Sequence, residues 1–192
     1  MNIKLICTCG AVEGIAENLN AKNGNRLVCC CDDCQAFANY LDQADKTLDQ
    51  FGGTEVYQTS QAQIKIHKGA EHLRCVRLAP KGLIRWYADC CKTPIGNTVN
   101  AGLPFIAIIH SFIDKDVDKD QVLGKIRAYL QTRYAHGTIN YPHSSKKVPV
   151  LVIFGMIRKI LFWKMKGMNK PSAFFNDKGR PISKPLILEG TK

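Results

Sequence analysis

The stretch Leu27-Val28-Cys29-Cys30-Cys31-Asp32-Asp33-Cys34 decides how this chain folds. Leu27-Val28-Cys29 reads as a short strand, and Cys29-x-Cys31-x-x-Cys34 offers three sulfurs from one compact loop. Downstream, Phe37, Tyr40, Leu41, Ala44, Leu48 and Phe51 recur at helical spacing before Gly52-Gly53, which predicts one amphipathic helix after the cysteines. Upstream, residues 3 to 16 read as a strand entering a tight turn at Cys7-Thr8-Cys9-Gly10, where glycine lets the backbone fold around thiolates.

The chain has nine cysteines, at 7, 9, 29, 30, 31, 34, 75, 90 and 91, and residues 92 to 192 contain none. No run of 18 residues is both apolar and uncharged, and too little chain precedes the first cysteines for a secretory signal, so a cytoplasmic protein is expected. A reducing compartment leaves clustered thiols to metal or redox chemistry. Structural zinc sites are closed by four ligands, whereas catalytic ones keep three and an open vertex. The thiols sort accordingly: Cys7 and Cys9, with Cys90 and Cys91 as the expected partners, make a closed set, and Cys29, Cys31 and Cys34 an open one. Cys30, a histidine or an aspartate is the alternative that closes the second set too. Asp32 and Asp33 are candidates to support the ligands, to move protons, or simply to face water.

Between 54 and 100 the pattern turns to short β-rich runs, at 55–57, 64–67, 73–78 and 83–87. Lys68-Gly69, Pro80-Lys81-Gly82 and Pro94-Ile95-Gly96 punctuate them, which predicts an antiparallel meander and a mainly β fold with a few helices. Farther on, Asp118 to His136 carries Val122, Leu123, Ile126, Tyr129 and Leu130 at helical spacing, and Val150 to Met168 is a strongly apolar candidate helix. The last residues, with Pro171, Pro181 and Pro185, are expected to be extended or loosely ordered. The expected organisation is a zinc-binding β domain over 1–110 and a helical, basic C-terminal extension over 111–192 packing on it.

Charge follows the same division. Of the net +11, residues 146 to 192 supply +9, with eleven Lys or Arg against two acids. Such a segment suits acidic partners or solvent. The run Asp114 to Asp120 lacks the glycine and glutamate of a calcium loop, having Lys119 and Lys125 in their places. His67 and His72 flank a β turn, where they could reach a metal or a substrate but where a surface or hydrogen-bonded histidine is the commoner outcome; His110, His136 and His143 receive no role.

In order and spacing, Cys7-Thr8-Cys9-Gly10, Cys29-Cys30-Cys31-Asp32-Asp33-Cys34, Ile66-His67-Lys68-Gly69 and Arg85-Trp86-Tyr87-Ala88-Asp89-Cys90-Cys91-Lys92-Thr93-Pro94 resemble the glutathione-dependent formaldehyde-activating enzyme family, which includes centromere protein V. The resemblance covers about residues 5 to 110. It implies a β-tent fold of zinc-stapled antiparallel sheets with two zinc ions: a catalytic one on Cys29, Cys31 and Cys34, and a structural one that includes Cys7, Cys9 and Cys91. The family's later CxxC would begin at Ala88, so the fourth position falls to Cys90, to a water or another side chain, or this zinc is absent, and Lys92 stands where the family usually has glycine. The implied activity is that of a carbon–sulfur lyase acting on a glutathione–formaldehyde or other thiol adduct, with Arg85, Lys65, Lys68 and Arg74 as candidates for the carboxylates of glutathione. The competing expectation is a zinc-stabilised, non-catalytic binding module whose basic C-terminal segment contacts a membrane or protein. Nucleic acid is the less expected partner, since no groove-reading motif accompanies the cations.

Overall fold

The computed structural model describes residues 1–188, so the last four residues of the expected C-terminal extension lie outside the description. The fold is mainly β, with eleven strands in two sheets and four α-helices among the described residues. A three-stranded sheet joins β1 (Ile3–Ile6), β2 (Glu13–Ala16) and β5 (Ile64–Lys68) in the order β1-β2-β5. The larger sheet holds β3 (Asn25–Cys29), β4 (Thr54–Thr59), β6 (Leu73–Arg77), β7 (Ile84–Ala88), β8 (Thr93–Thr98), β9 (Ile106–Ile109), β10 (Tyr129–Leu130) and β11 (Leu186–Ile187). Its order is β10-β3-β4-β9-β8-β7-β6-β11, antiparallel throughout except at the two outermost strands, which run parallel to their neighbours.

Apart from the exposed edge strand β11, the large sheet is largely buried on both faces, and the two-residue period of a strand sorts its side chains between two cores. Along β9, Ile106 and Ile108 enter the core shared with the small sheet, while Ala107 and Ile109 enter the other. Tyr57 and Val56 of β4, and Trp86 and Tyr87 of β7, divide in the same way. The first core also takes Ile3, Leu5, Leu19, Ile64 and Phe174. The second lies under α1 (Asp32–Tyr40), whose Phe37 sits against Leu27, Val56 and Leu130.

The strand runs expected over 54–100 are present, but the meander is narrower than expected. Only β6 to β9 follow one another; β4 turns back to pair with β3 and β9, and β5 joins the small sheet. Pro94-Ile95-Gly96, expected as punctuation, runs through the middle of β8. The register steps from Trp86 opposite Gly96 to Tyr87 opposite Pro94, leaving Ile95 as the extra residue of a bulge, which is where a central strand tolerates proline. Gly96 is required by packing: a Cβ there would meet the Ala107 carbonyl oxygen at 2.7 Å.

Two helical expectations are corrected. The helix expected to run on through Phe51 stops after Tyr40, because Asp42 adopts a left-handed conformation (φ 53°). The amides of Asp42 and Gln43 return to the carbonyls of Asn39 and Ala38, the Schellman pattern that closes a helix; α2 (Ala44–Thr47) is a separate turn. The helix expected over Asp118–His136 is only α3 (Lys119–Leu123), capped by Asp118 and ended at Gly124 (φ 79°). Beyond it, residues 127–130 lie along β3, where Ala128 and Leu130 accept hydrogen bonds from the amides of Val28 and Cys30. An open strand edge outcompetes the helical period of Ile126, Tyr129 and Leu130.

The chain after α4 (Val150–Met165) is not loosely ordered across its described length. Phe174 is fully buried with its ring centroid 5.1 Å from that of Trp86, Phe175 lies edge-on to the same indole, and β11 then pairs with β6. Residues 111–188 are therefore not chiefly helical: they supply two helices, both outermost strands of the large sheet and part of the first core.

Candidate metal centres

The first thiol group gathers Cys7 and Cys9, from the turn after β1, with Cys90 and Cys91, from the turn between β7 and β8. The four sulfurs all lie within 4.8 Å of one another. Neighbouring pairs are 3.6 Å (Cys7–Cys9), 3.8 Å (Cys7–Cys90), 3.4 Å (Cys9–Cys90) and 3.8 Å (Cys90–Cys91) apart. Metal–sulfur bonds of about 2.3 Å at tetrahedral angles place sulfurs about 3.8 Å apart, so the set has the size of a four-thiolate site. Cys90 belongs to it beside Cys91, and the turn that allows this includes Lys92 at φ 58°, a conformation in which glycine is at ease.

Backbone and hydroxyl groups prepare these sulfurs for negative charge. The Val12 amide donates to Cys7 Sγ at 3.2 Å, and the Thr93 hydroxyl lies 3.0 Å from Cys91 Sγ. Burial works against ionisation of Cys91, but the Thr93 hydroxyl and the amides of Cys9 and Thr93 outweigh it and bring the thiol down to about 6. Burial and the neighbouring thiols of Cys9 and Cys91 push Cys90 upward, so without a cation only part of the group ionises.

The second group is Cys29, Cys31 and Cys34, again with all sulfurs within 4.8 Å. Cys29 ends β3, Cys31 is the N-cap of α1, and Cys34 sits in that helix's first turn, with its amide donating to the Cys31 carbonyl at 3.0 Å. Strand end and helix start thus converge the three sulfurs. Hydrogen bonds from the Cys29 and Cys31 thiols hold Cys34 well below the ordinary thiol range, against burial and with help from Arg85. Cys29 is pushed upward by the same sharing and by burial. Among the described residues, no fourth Cys, His, Asp or Glu joins this group. Cys30 is fully buried outside it, and the five histidines are outside both groups.

The three thiols form part of the wall of a cavity of about 360 Å³. Leu27, Val56, Phe105, Ala107 and Leu130 make its apolar wall from the sheet side, and Val152, Ile153, Met156 and Ile157 of α4 line it from the helix side. Among the described residues, Arg85 and Asp33 are its only charged lining residues. Arg85 is buried, with Nη2 3.3 Å from Asp33 Oδ2, Nη1 3.5 Å from Asn97 Oδ1 and 3.9 Å from Cys34 Sγ, and its guanidinium 5.7 Å from the Phe37 ring centre. Of the four cations expected to receive substrate carboxylates, the other three lie outside the cavity: Lys68 is paired with Glu13, Arg74 donates to backbone carbonyls, and Lys65 stands on β5. The α4 contribution was not foreseen, and its one available signal was the apolar density of residues 150–157.

Both groups could hold a metal ion: thiolates converge in each, with hydrogen-bond donors aimed at sulfur. A family model described as a family of unknown function, DUF6151, matches residues 1–185. The chain belongs to that family. No curated protein matches the sequence of this DUF6151 chain. Among solved structures, a crystal structure of a Rhodobacter sphaeroides protein from structural genomics is similar at 18% identity and a TM-score of 0.45, covering 65% of this chain and 97% of that one.

Proposed function

We propose that this protein is a zinc-dependent enzyme of the carbon–sulfur lyase type, acting on a small, largely apolar thiol adduct. Cys29, Cys31 and Cys34 would hold the working zinc ion, while Cys7, Cys9, Cys90 and Cys91 would hold a second that staples the β1 turn to the β7–β8 turn. The observation that carries the reading is that the three-thiol group opens on the wall of a cavity. Bound there, zinc would supply Lewis acidity and keep a substrate sulfur as thiolate at neutral pH.

The chain's own residues supply the rest. The apolar walls exclude water and seat the organic part of the adduct. Among the described residues Asp33 is the one carboxylate lining the cavity, and its pairing with Arg85 fixes its direction. For a hydroxyalkyl thioether, the carbon–sulfur bond breaks, its electron pair stays on sulfur, and the hydroxyl proton passes to Asp33 as the aldehyde leaves. The resemblance described above implies glutathione, but one cation already committed to Asp33 offers poor reception for a diacid, so the lining favours a smaller and less charged thiol.

Cobalt substitution tests this reading. Cobalt-loaded protein should show sulfur-to-metal charge transfer from two sites, and benzyl mercaptan should perturb the ligand-field bands of one site more strongly than glutathione does. Cys31→Ser should abolish that response. Bands that ignore every added thiol would mean that the second site is closed, and the lyase reading would be withdrawn.

A further inference from the structure

No helix among the described residues is long and apolar enough to cross a membrane, yet α4 leaves half of its surface uncovered. At 100° per residue, Val152, Met156, Lys159, Ile160 and Trp163 share the inward side. Trp163 is buried, and Lys159 donates to the carbonyls of Lys22 and Gly24, which moors the helix. The outward arc holds Val150, Leu151, Phe154, Leu161, Phe162 and Met165, each more than half exposed. A contiguous apolar face of this kind marks a contact surface.

Charge identifies what covers it. From residue 146 to 176 the chain carries seven Lys or Arg and no acid. Lys146 and Lys147 precede the helix, Lys166 and Lys170 follow it, Arg158 lies on its outward arc, and Lys164 lies at the edge of that arc between Ile153 and Ile157. Apolar side chains ringed by cations, on a helix too short to span, match the interface of an anionic bilayer, where long basic side chains reach the headgroups. A second copy packed on the same face would bring Arg158 and Lys164 against their own kind, and a nucleic acid would leave Phe154, Leu161 and Phe162 without an apolar partner.

We infer that α4 is an in-plane membrane-docking helix that seats the protein on negatively charged lipid. Because Ile153 and Ile157 lie both at the edge of that face and in the wall of the thiol-lined cavity, docking places the cavity against the lipid surface. The inference stands on α4 alone and does not depend on the lyase reading.

Sedimentation of the full chain with vesicles tests it. Binding should be at least about tenfold stronger to phosphatidylcholine mixed with an equal part of phosphatidylglycerol than to phosphatidylcholine alone, and should weaken with added salt. The double variant Phe154→Ser, Leu161→Ser should lose vesicle binding while its circular dichroism and thermal midpoint stay at the wild-type values, since both side chains face solvent. Failure to sediment with the anionic vesicles would overturn the inference, as would equal binding by the double variant. A wild-type dimer by sedimentation velocity that the double variant dissociates would assign the face to a second copy instead.

Discussion

Replacing Phe174 by alanine should destabilise the protein as severely as a mutation in a central strand, although the residue lies in a proline-flanked segment near the end of the chain. Its side chain is fully buried, and its ring packs on Trp86 at a centroid separation of 5.1 Å. Truncating a buried phenylalanine to alanine removes the transfer free energy of the ring and leaves a cavity, together about 3–5 kcal/mol. The tilted pairing with the indole accounts for roughly 0.5–1.5 kcal/mol of that. For a chain of this length the change corresponds to a drop in Tm of about 6–20 °C. Urea unfolding of the metal-loaded protein, followed by the fluorescence of the buried Trp86 and Trp163, measures it directly. Phe154→Ala is the control: that ring is 67% exposed, so its loss should stay within about 0.5 kcal/mol. If Phe174→Ala lost less than about 1 kcal/mol, or no more than Phe154→Ala, the claim that the C-terminal segment completes the first core would be refuted.

Three further outcomes are expected. Cys90→Ser should lower the metal content of the purified protein by one equivalent while Cys30→Ser leaves it unchanged, as elemental analysis would show; equal content in both would mean that Cys90 is not a ligand. Gly96→Ala should cost about 1–3 kcal/mol, because the added methyl meets the Ala107 carbonyl in a central strand that cannot move aside, and unfolding midpoints indistinguishable from wild type would contradict the close approach. His110 is held below the ordinary histidine range by burial, which outweighs the attraction of Glu55. The unfolded chain therefore takes up a proton more readily than the folded one, and stability falls as pH drops from about 6.5 towards the folded-state value. His110→Gln should flatten that part of the curve, and parallel profiles for variant and wild type between pH 7.5 and 5.5 would count against it.

Those elements whose residues also specify their partners were legible in the sequence. Cys29, Cys31 and Cys34 lie within six residues, so their convergence needs only a strand end and a helix cap. Cys7 and Cys9 announced that they lacked partners, and the adjacent Cys90 and Cys91 were the remaining pair. What could not be read was anything decided by distant chain. Ile126, Tyr129 and Leu130 have a helical period, but the amides of Val28 and Cys30 needed acceptors, and a sheet edge 100 residues away settled the matter. Pro94 and Gly96 look like turn residues until a bulge and the close approach of β9 give each a place in β8. Arg85 was one cation among four until burial beside Asp33 and Asn97 set it apart.

The two outermost strands of the large sheet are each only two residues long, and both come from the C-terminal half. During synthesis β3 and β6 emerge from the ribosome well before the segments that cover them, at 129–130 and 186–187. The nascent chain thus presents bare strand flanks, and all nine of its thiols, while translation continues. Early capture of metal by Cys7, Cys9, Cys90 and Cys91 would hold the β1 and β7–β8 turns together during that interval, giving the incomplete polypeptide a clasp against mispairing and oxidation until its last segments arrive.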